Sequence, residues 1–129
     1  MAENLSLYSN EVIEHFHNPR NAGGFPEANG VGLESNPVCG DTLKLYLRID
    51  GDHIETAHFE TRGCPPAIAA SSMLTVMLEG LSLDDALKIK NKDVAEALGG
   101  LPASKLHCSV LAEGALKKAV ADYRKRADA

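Results

Sequence analysis

Apolar and polar residues alternate without a break from Thr42 to Asp50: Leu43, Leu45, Leu47 and Ile49 point one way, Lys44, Tyr46, Arg48 and Asp50 the other. A period of two marks a strand with one buried face. Asp50-Gly51 is a hairpin turn signal, and 55–62 is the predicted returning strand, with Ala57, Phe59 and Thr61 on one face. Ile54 falls out of that phase, which predicts a bulge or an early turn residue. A third strand is predicted over 31–36.

Elsewhere the period is helical. Val12, Ile13 and Phe16 predict a helix over 8–18, which Pro19 stops. A Gly/Pro/Asn-rich loop, 21–32, follows. From Pro65 the chain is nearly all small or apolar up to Glu79. Pro65 and Pro66 sit where a first turn tolerates missing N–H groups, and Gly80 ends the segment. A helix with no polar face is buried. Ser82 with Asp85 reads as a capping box for a short helix to about Lys90, and Asn91 as the cap of another reaching Leu98, before Gly99-Gly100. The last helix is predicted over 104–125, with Leu106, Val110, Ala115, Leu116, Ala119, Val120 and Tyr123 as its apolar face.

Strands clustered early and helices clustered late predict an α+β fold, a small antiparallel sheet of about three strands with helices on one face. With no internal repeat and no linker, 1–129 is expected to be a single domain. The alternation, glycine-rich turn and P-loop of nucleotide-binding folds are absent from the sequence.

The 129 residues are 44% apolar and 24% charged, the composition of an ordinary globular domain. A net charge of −5 argues against nucleic acid, which needs a basic surface. The basic run Lys117, Lys118, Arg124, Lys125 and Arg126 falls toward the end of a helix, where cations meet the negative end of the dipole. The sequence has no apolar run of roughly 18 residues, and MAENLSLYSN has neither a basic nor an apolar leader region. The expectation is a soluble, cytoplasmic protein without a membrane contact, starting at Met1.

Three cysteines cannot all pair internally, and nothing suggests export, so the thiols are expected to be free. Cys39 lies in a turn-rich loop entering the clear strand, where Gly40 lets Cys39 and Asp41 face one point. Cys64 follows the returning strand and opens the buried helix. Cys108, after His107, lies in the first turns of the last helix. A hairpin brings Cys39 and Cys64 to the same end of the sheet, and helix N-termini favour thiolates at Cys64 and Cys108. Three soft sulfurs with a harder donor, Asp41 or His107, suit zinc or an iron–sulfur centre. A thiol-based enzyme stays open on these residues alone, although His107 and Cys108 diverge by about 100° as helical neighbours, a poor arrangement for base and nucleophile. His15, His17, His53 and His58 read as surface residues of a helix and a strand.

These residues resemble the IscU/NifU-type iron–sulfur cluster assembly scaffold family from Tyr8 to Arg126. The resemblance rests on His15-Phe16-His17-Asn18-Pro19-Arg20-Asn21, Asn36-Pro37-Val38-Cys39-Gly40-Asp41, Gly63-Cys64 with Ala67-Ile68-Ala69, and Lys105-Leu106-His107-Cys108-Ser109. It implies a scaffold, not an enzyme, that takes sulfur from a cysteine desulfurase and iron from a frataxin-like donor. Ferredoxin is a further implied partner. The scaffold builds a transient [2Fe-2S] cluster and passes it to apo-acceptor proteins. By motif, Cys39, Cys64 and Cys108 resemble the cluster thiolates, Asp41 the carboxylate that keeps the cluster labile and His107 an alternative fourth ligand. Cys108 is similar to the persulfide acceptor, and Zn2+ can stand in for iron at the same residues.

Two departures stand out. Pro65-Pro66 replaces the family's usual Gly-Ser and removes two N–H donors beside Cys64. Leu101-Pro102-Ala103-Ser104-Lys105 departs from the Leu-Pro-Pro-Val-Lys segment that a DnaK-class chaperone, with its J-protein co-chaperone, recognises. His107 and the short spacing from Cys64 to Cys108 favour the IscU branch over the SufU branch, a zinc-bound persulfide acceptor, which is the alternative reading. A stand-alone NifU-type module is not distinguished from IscU.

Overall fold

The computed structural model describes residues 8–36 and 40–127. Its elements are α1 (Asn10–His17), β1 (Gly30–Ser35), β2 (Thr42–Asp50), β3 (His53–Arg62), α2 (Pro65–Leu78), α3 (Leu83–Leu87), α4 (Asn91–Ala97), a 3-10 turn (Ala103–Lys105) and α5 (His107–Ala127). The α+β expectation holds: the strands form one antiparallel sheet in the order β1-β2-β3.

Leu43, Leu45, Leu47 and Ile49 are all buried, so the period of two in β2 defines the core face. The two residues after it turn the chain, and Gly51 takes φ +64, a left-handed conformation that costs glycine little. The β2–β3 register slips between Arg48 and Ile49, where Arg48 faces Thr56 and Ile49 faces Ile54, leaving Glu55 as the extra residue of a bulge. The bulge returns Ile54 to the core. The strand starts at His53, earlier than predicted, because Ile54 exchanges backbone hydrogen bonds with the loop after α2: its N–H donates to Leu81 O and its carbonyl accepts from Gly80 N.

On the core face, α5 packs on β1 and β2 and α2 packs on β3, with α1 against α2 and α4 against α5. Most of α2 is buried, as its lack of a polar face predicts. Its hydroxyls are all partnered: Ser71 donates to Ala67 O at 2.8 Å and Thr75 to Ser72 O at 2.7 Å. Ser72 Oγ accepts from Arg20 N at 2.8 Å and lies 2.7 Å from His15 Nδ1. His15 is therefore not the solvent-facing residue predicted; at 8% exposure it fastens α1 to α2. The N-terminal end of α1 is fastened too, because the N-cap residue Ser9 donates its hydroxyl to Leu98 O beyond α4.

Two further expectations are corrected. The cap of α4 is Lys90, whose N–H donates to Asp93 Oδ2 at 2.8 Å; Asn91 is already inside the helix and donates its N–H to Glu113 of α5 at 2.6 Å. The apolar face of α5 excludes Leu106 and Val110, which are 43% and 55% exposed. At about 100° per residue, Ala115 lies some 140° from Val110. The buried seam runs instead through Cys108, Leu111, Ala112, Ala115, Leu116, Ala119 and Val120. Ser82 does cap α3, accepting from Asp85 N. The basic residues of α5 include three ion pairs, Lys117–Glu113, Lys118–Glu34 and Arg126–Asp122.

Candidate metal centre

Thr42 pairs with Arg62, so the residues just outside the hairpin, Asp41 and Cys64, come together at one end of the sheet. Asp41 is held there by its own backbone: Asn36 N donates to Asp41 O at 2.9 Å, and Gly40, at φ +79, closes the loop by donating to Asn36 O at 2.8 Å. Cys39, predicted to face the same point, lies outside the described residues. Cys64 is the N-cap of α2, and Cys108 sits in the first turn of α5 beside His107.

Four side chains from three parts of the chain meet there. Cys64 Sγ lies 3.7 Å from Asp41 Oδ2 and 3.7 Å from Cys108 Sγ. His107 Nε2 lies 3.6 Å from Cys108 Sγ and 3.6 Å from Asp41 Oδ2. The donors of Asp41, His107 and Cys108 all fall within 4.8 Å of one another. Asp41 and Cys108 are buried, at 7% and 1% exposure, and Cys64 and His107 are half-buried. His107 and Cys108 both project from the first turn of α5, just after the 3-10 turn that ends at Lys105.

The thiols differ in acidity. A hydrogen bond from the Cys108 thiol stabilises the Cys64 thiolate and brings its pKa down to about 7; burial opposes this and the Ala67 N–H adds to it. That N–H is the first one available after Pro65 and Pro66. Donating its proton to Cys64 and being buried push the Cys108 thiol up. The prediction of a thiolate at both helix starts is thus corrected at Cys108, where donation to Cys64 and then burial outweigh the helix terminus. When Cys64 carries its proton it donates instead to Asp41.

Lys105, a residue of the Lys105–Ser109 motif, lies close enough to act on both thiols. Its ammonium favours the thiolate at both cysteines, a role legible only once the 3-10 turn is seen. The other histidines stay away from the cluster: His17 is exposed, His53 pairs with Asp52 at 2.6 Å, and His58, half-buried and not a fully exposed strand residue, stacks on Phe25 at 4.8 Å.

A three-stranded antiparallel sheet with two thiols, a carboxylate and an imidazole converging at the open end of its hairpin defines a small α+β fold carrying a donor group that could hold a thiophilic metal. The chain belongs to the NifU-like N terminal domain family, whose model matches residues 7–129. It is 51% identical over 117 residues to the iron-sulfur cluster assembly scaffold protein IscU 1 of Archaeoglobus fulgidus, covering 91% of this chain and 76% of that protein. It is 48% identical over 126 residues to the iron-sulfur cluster assembly scaffold protein IscU of Escherichia coli, covering 95% of this chain and 98% of the other. The crystal structure of a nitrogen-fixing NifU-like protein (N-terminal) from Brucella abortus shares the fold, with a TM-score of 0.73 at 16% identity over 95% of this chain and 97% of the other. Among the described residues, no helix is long and apolar enough to cross a membrane.

Proposed function

We propose that this protein is a scaffold on which an iron–sulfur cluster is assembled and from which it passes to acceptor proteins. The observation that carries the reading is the ring of donors from Asp41, Cys64, Cys108 and His107, with neighbours 3.6–3.7 Å apart. A tetrahedral ion with ligands at about 2.0–2.3 Å has donor–donor edges of roughly 3.3–3.8 Å; the four neighbouring pairs match that length, and the donors of Asp41, His107 and Cys108 all lie within 4.8 Å of one another, which suits a thiophilic metal. The names of close relatives support the same reading.

In this reading 1–129 is one scaffold domain, and iron, sulfide and cluster are cargo. Cys39, Cys64 and Cys108 are the thiolates that hold it. Asp41 is a harder donor, more readily exchanged than a thiolate, which suits a cluster meant to leave; His107 is the alternative to it. Cys108 accepts sulfur as a persulfide from a cysteine desulfurase, the cluster is [2Fe-2S], and zinc occupies the same residues when iron is absent. A frataxin-like iron donor, a ferredoxin and apo-acceptors complete the cycle in the cytoplasm, and a DnaK-class chaperone with its J-protein is the partner for which Leu101–Lys105 would be the contact. The protein itself is a platform, not a catalyst.

Anaerobic reconstitution with ferrous iron, cysteine and a desulfurase tests this. Visible absorption and circular dichroism bands of a [2Fe-2S] cluster, lost on transfer to an apo-acceptor, are the expected result. Colourless protein that keeps zinc while still becoming persulfidated would make it a zinc-bound sulfur acceptor, a reading the spacing of the neighbouring donors also suits. Within the scaffold reading, Cys108→Ser loses sulfur acceptance and Asp41→Ala holds its cluster longer.

A further inference from the structure

Cys64 Sγ and Cys108 Sγ lie 3.7 Å apart, in contact. Each is anchored in the core by its own helix: Cys64 caps α2 ahead of buried Ala67, Ala69 and Ala70, and Cys108 precedes buried Leu111 and Ala112 in α5. A disulfide needs the sulfurs at about 2.05 Å, so bond formation requires a shift of under about 2 Å. His107 Nε2 and the Asp41 carboxylate, the other near neighbours described, cannot form a sulfur–sulfur bond. The spacing that lets both sulfurs share a metal also leaves, in the metal-free protein, a second thiol in contact with the proposed sulfur acceptor.

Resting on the reading of Cys108 as that acceptor, we propose that Cys64 is the nucleophile that resolves the Cys108 persulfide and releases its sulfur as sulfide. The Cys64 thiolate attacks Cys108 Sγ. The bond between Cys108 Sγ and the outer sulfur breaks, and the outer sulfur leaves with the bonding pair as hydrosulfide, keeping the persulfide proton. A Cys64–Cys108 disulfide remains. The two electrons that reduce the sulfane sulfur come from the thiol pair, so this release needs no external reductant; a dithiol reductant then restores both thiols for the next turn. The hydrosulfide is set free beside His107 and Asp41, next to a cleft of about 360 Å³ lined by Glu34, Ser35, Asn36, His107, Val110 and Leu111. Sulfide thus appears where iron is to be held, not in bulk solvent.

The test loads metal-free protein with sulfur from a desulfurase and cysteine, removes small thiols and the desulfurase, and follows sulfide release and peptide masses in thiol-free buffer. Wild-type protein is expected to gain one sulfur at Cys108, then lose it with first-order kinetics independent of protein concentration, while a Cys64–Cys108 disulfide appears in equal amount. Cys64→Ser is expected to keep the Cys108 persulfide and release sulfide at least about tenfold more slowly, since the intramolecular nucleophile is gone. Peptide mapping of the wild type needs no variant to fold. A wild-type persulfide on Cys108 as long-lived as in Cys64→Ser, or a disulfide to Cys39 instead, overturns the proposal and leaves the scaffold reading standing. Absence of any sulfur on Cys108 overturns the acceptor reading and the proposal together.

Discussion

Gly63 faces Asp41 across the open end of the β2–β3 hairpin so closely that a methyl carbon on Gly63 would lie 2.8 Å from Asp41 Cγ and 3.0 Å from Ala67 Cβ. Gly63 is required for space, since its backbone is not left-handed. Gly63→Ala is expected to displace the Asp41 carboxylate, lowering stability by about 1–3 kcal/mol in urea denaturation and weakening zinc about tenfold in competition with a chromophoric chelator. Lost stability with unchanged zinc affinity would remove Asp41 from the ligand set.

The unequal thiols give a pH prediction. In metal-free protein at neutral pH, iodoacetamide is expected to label Cys64 ahead of buried Cys108, with a rate that rises as pH climbs through about 7, where the Cys64 thiolate forms. Because the leading cause is the hydrogen bond from Cys108, Cys108→Ala is expected to move that midpoint up toward the ordinary thiol range of about 8.5. An unmoved midpoint would assign the effect to the Ala67 N–H or to Lys105 instead.

His15 predicts a pH-dependent fold. Burial, then the Arg20 guanidinium, holds its imidazole below the usual value of about 6.5, so the unfolded chain binds the proton more readily than the native one. This contribution to stability is whole above about pH 6.5 and is lost as pH falls toward the lowered native value. Thermal midpoints of the wild type between pH 7 and 5 are expected to fall more steeply than those of His15→Gln; parallel slopes would contradict the assignment. Ser72→Ala, which strips a partner from both His15 Nδ1 and Arg20 N, is expected to cost about 1–3 kcal/mol at neutral pH.

The contact between β1 and α5 is expected to be the least tolerant of added volume. A methyl carbon on Gly30 would lie 2.7 Å from Ala119 O, and one on Gly32 would run into Ala115 O and the Ala119 amide. These are backbone atoms of a helix and cannot turn aside. Gly32→Ala is expected to destabilise by about 2–4 kcal/mol in chemical denaturation, whereas Gly40→Ala meets nothing within 4 Å and is limited to the cost of its positive φ.

Much of the fold was legible in one dimension because local rules and burial agree. The alternation in β2, the turn at Asp50-Gly51, the misfit of Ile54 and the apolar run after Pro65 each correspond to an observed element. Some misreadings fall where a neighbour from elsewhere in the chain decides. His15 is drawn inward by Ser72, 57 positions away in the chain, and Asn91 gives its N–H to Glu113 instead of acting as a cap. Two others are local: Leu106 belongs to the end of the 3-10 turn and not to α5, and Val110 lies about 140° around the helix from Ala115.

At the site, residue types and order along the chain already singled out Cys64, His107, Cys108 and Asp41, since soft donors at hairpin ends and helix starts are a local pattern. Which thiol carries the proton, how close the sulfurs stand and why Gly63 must be glycine are properties of distances between segments remote in sequence. Burial and hydrogen bonds set those distances, and they exist only once β2, β3, α2 and α5 are packed around the same point.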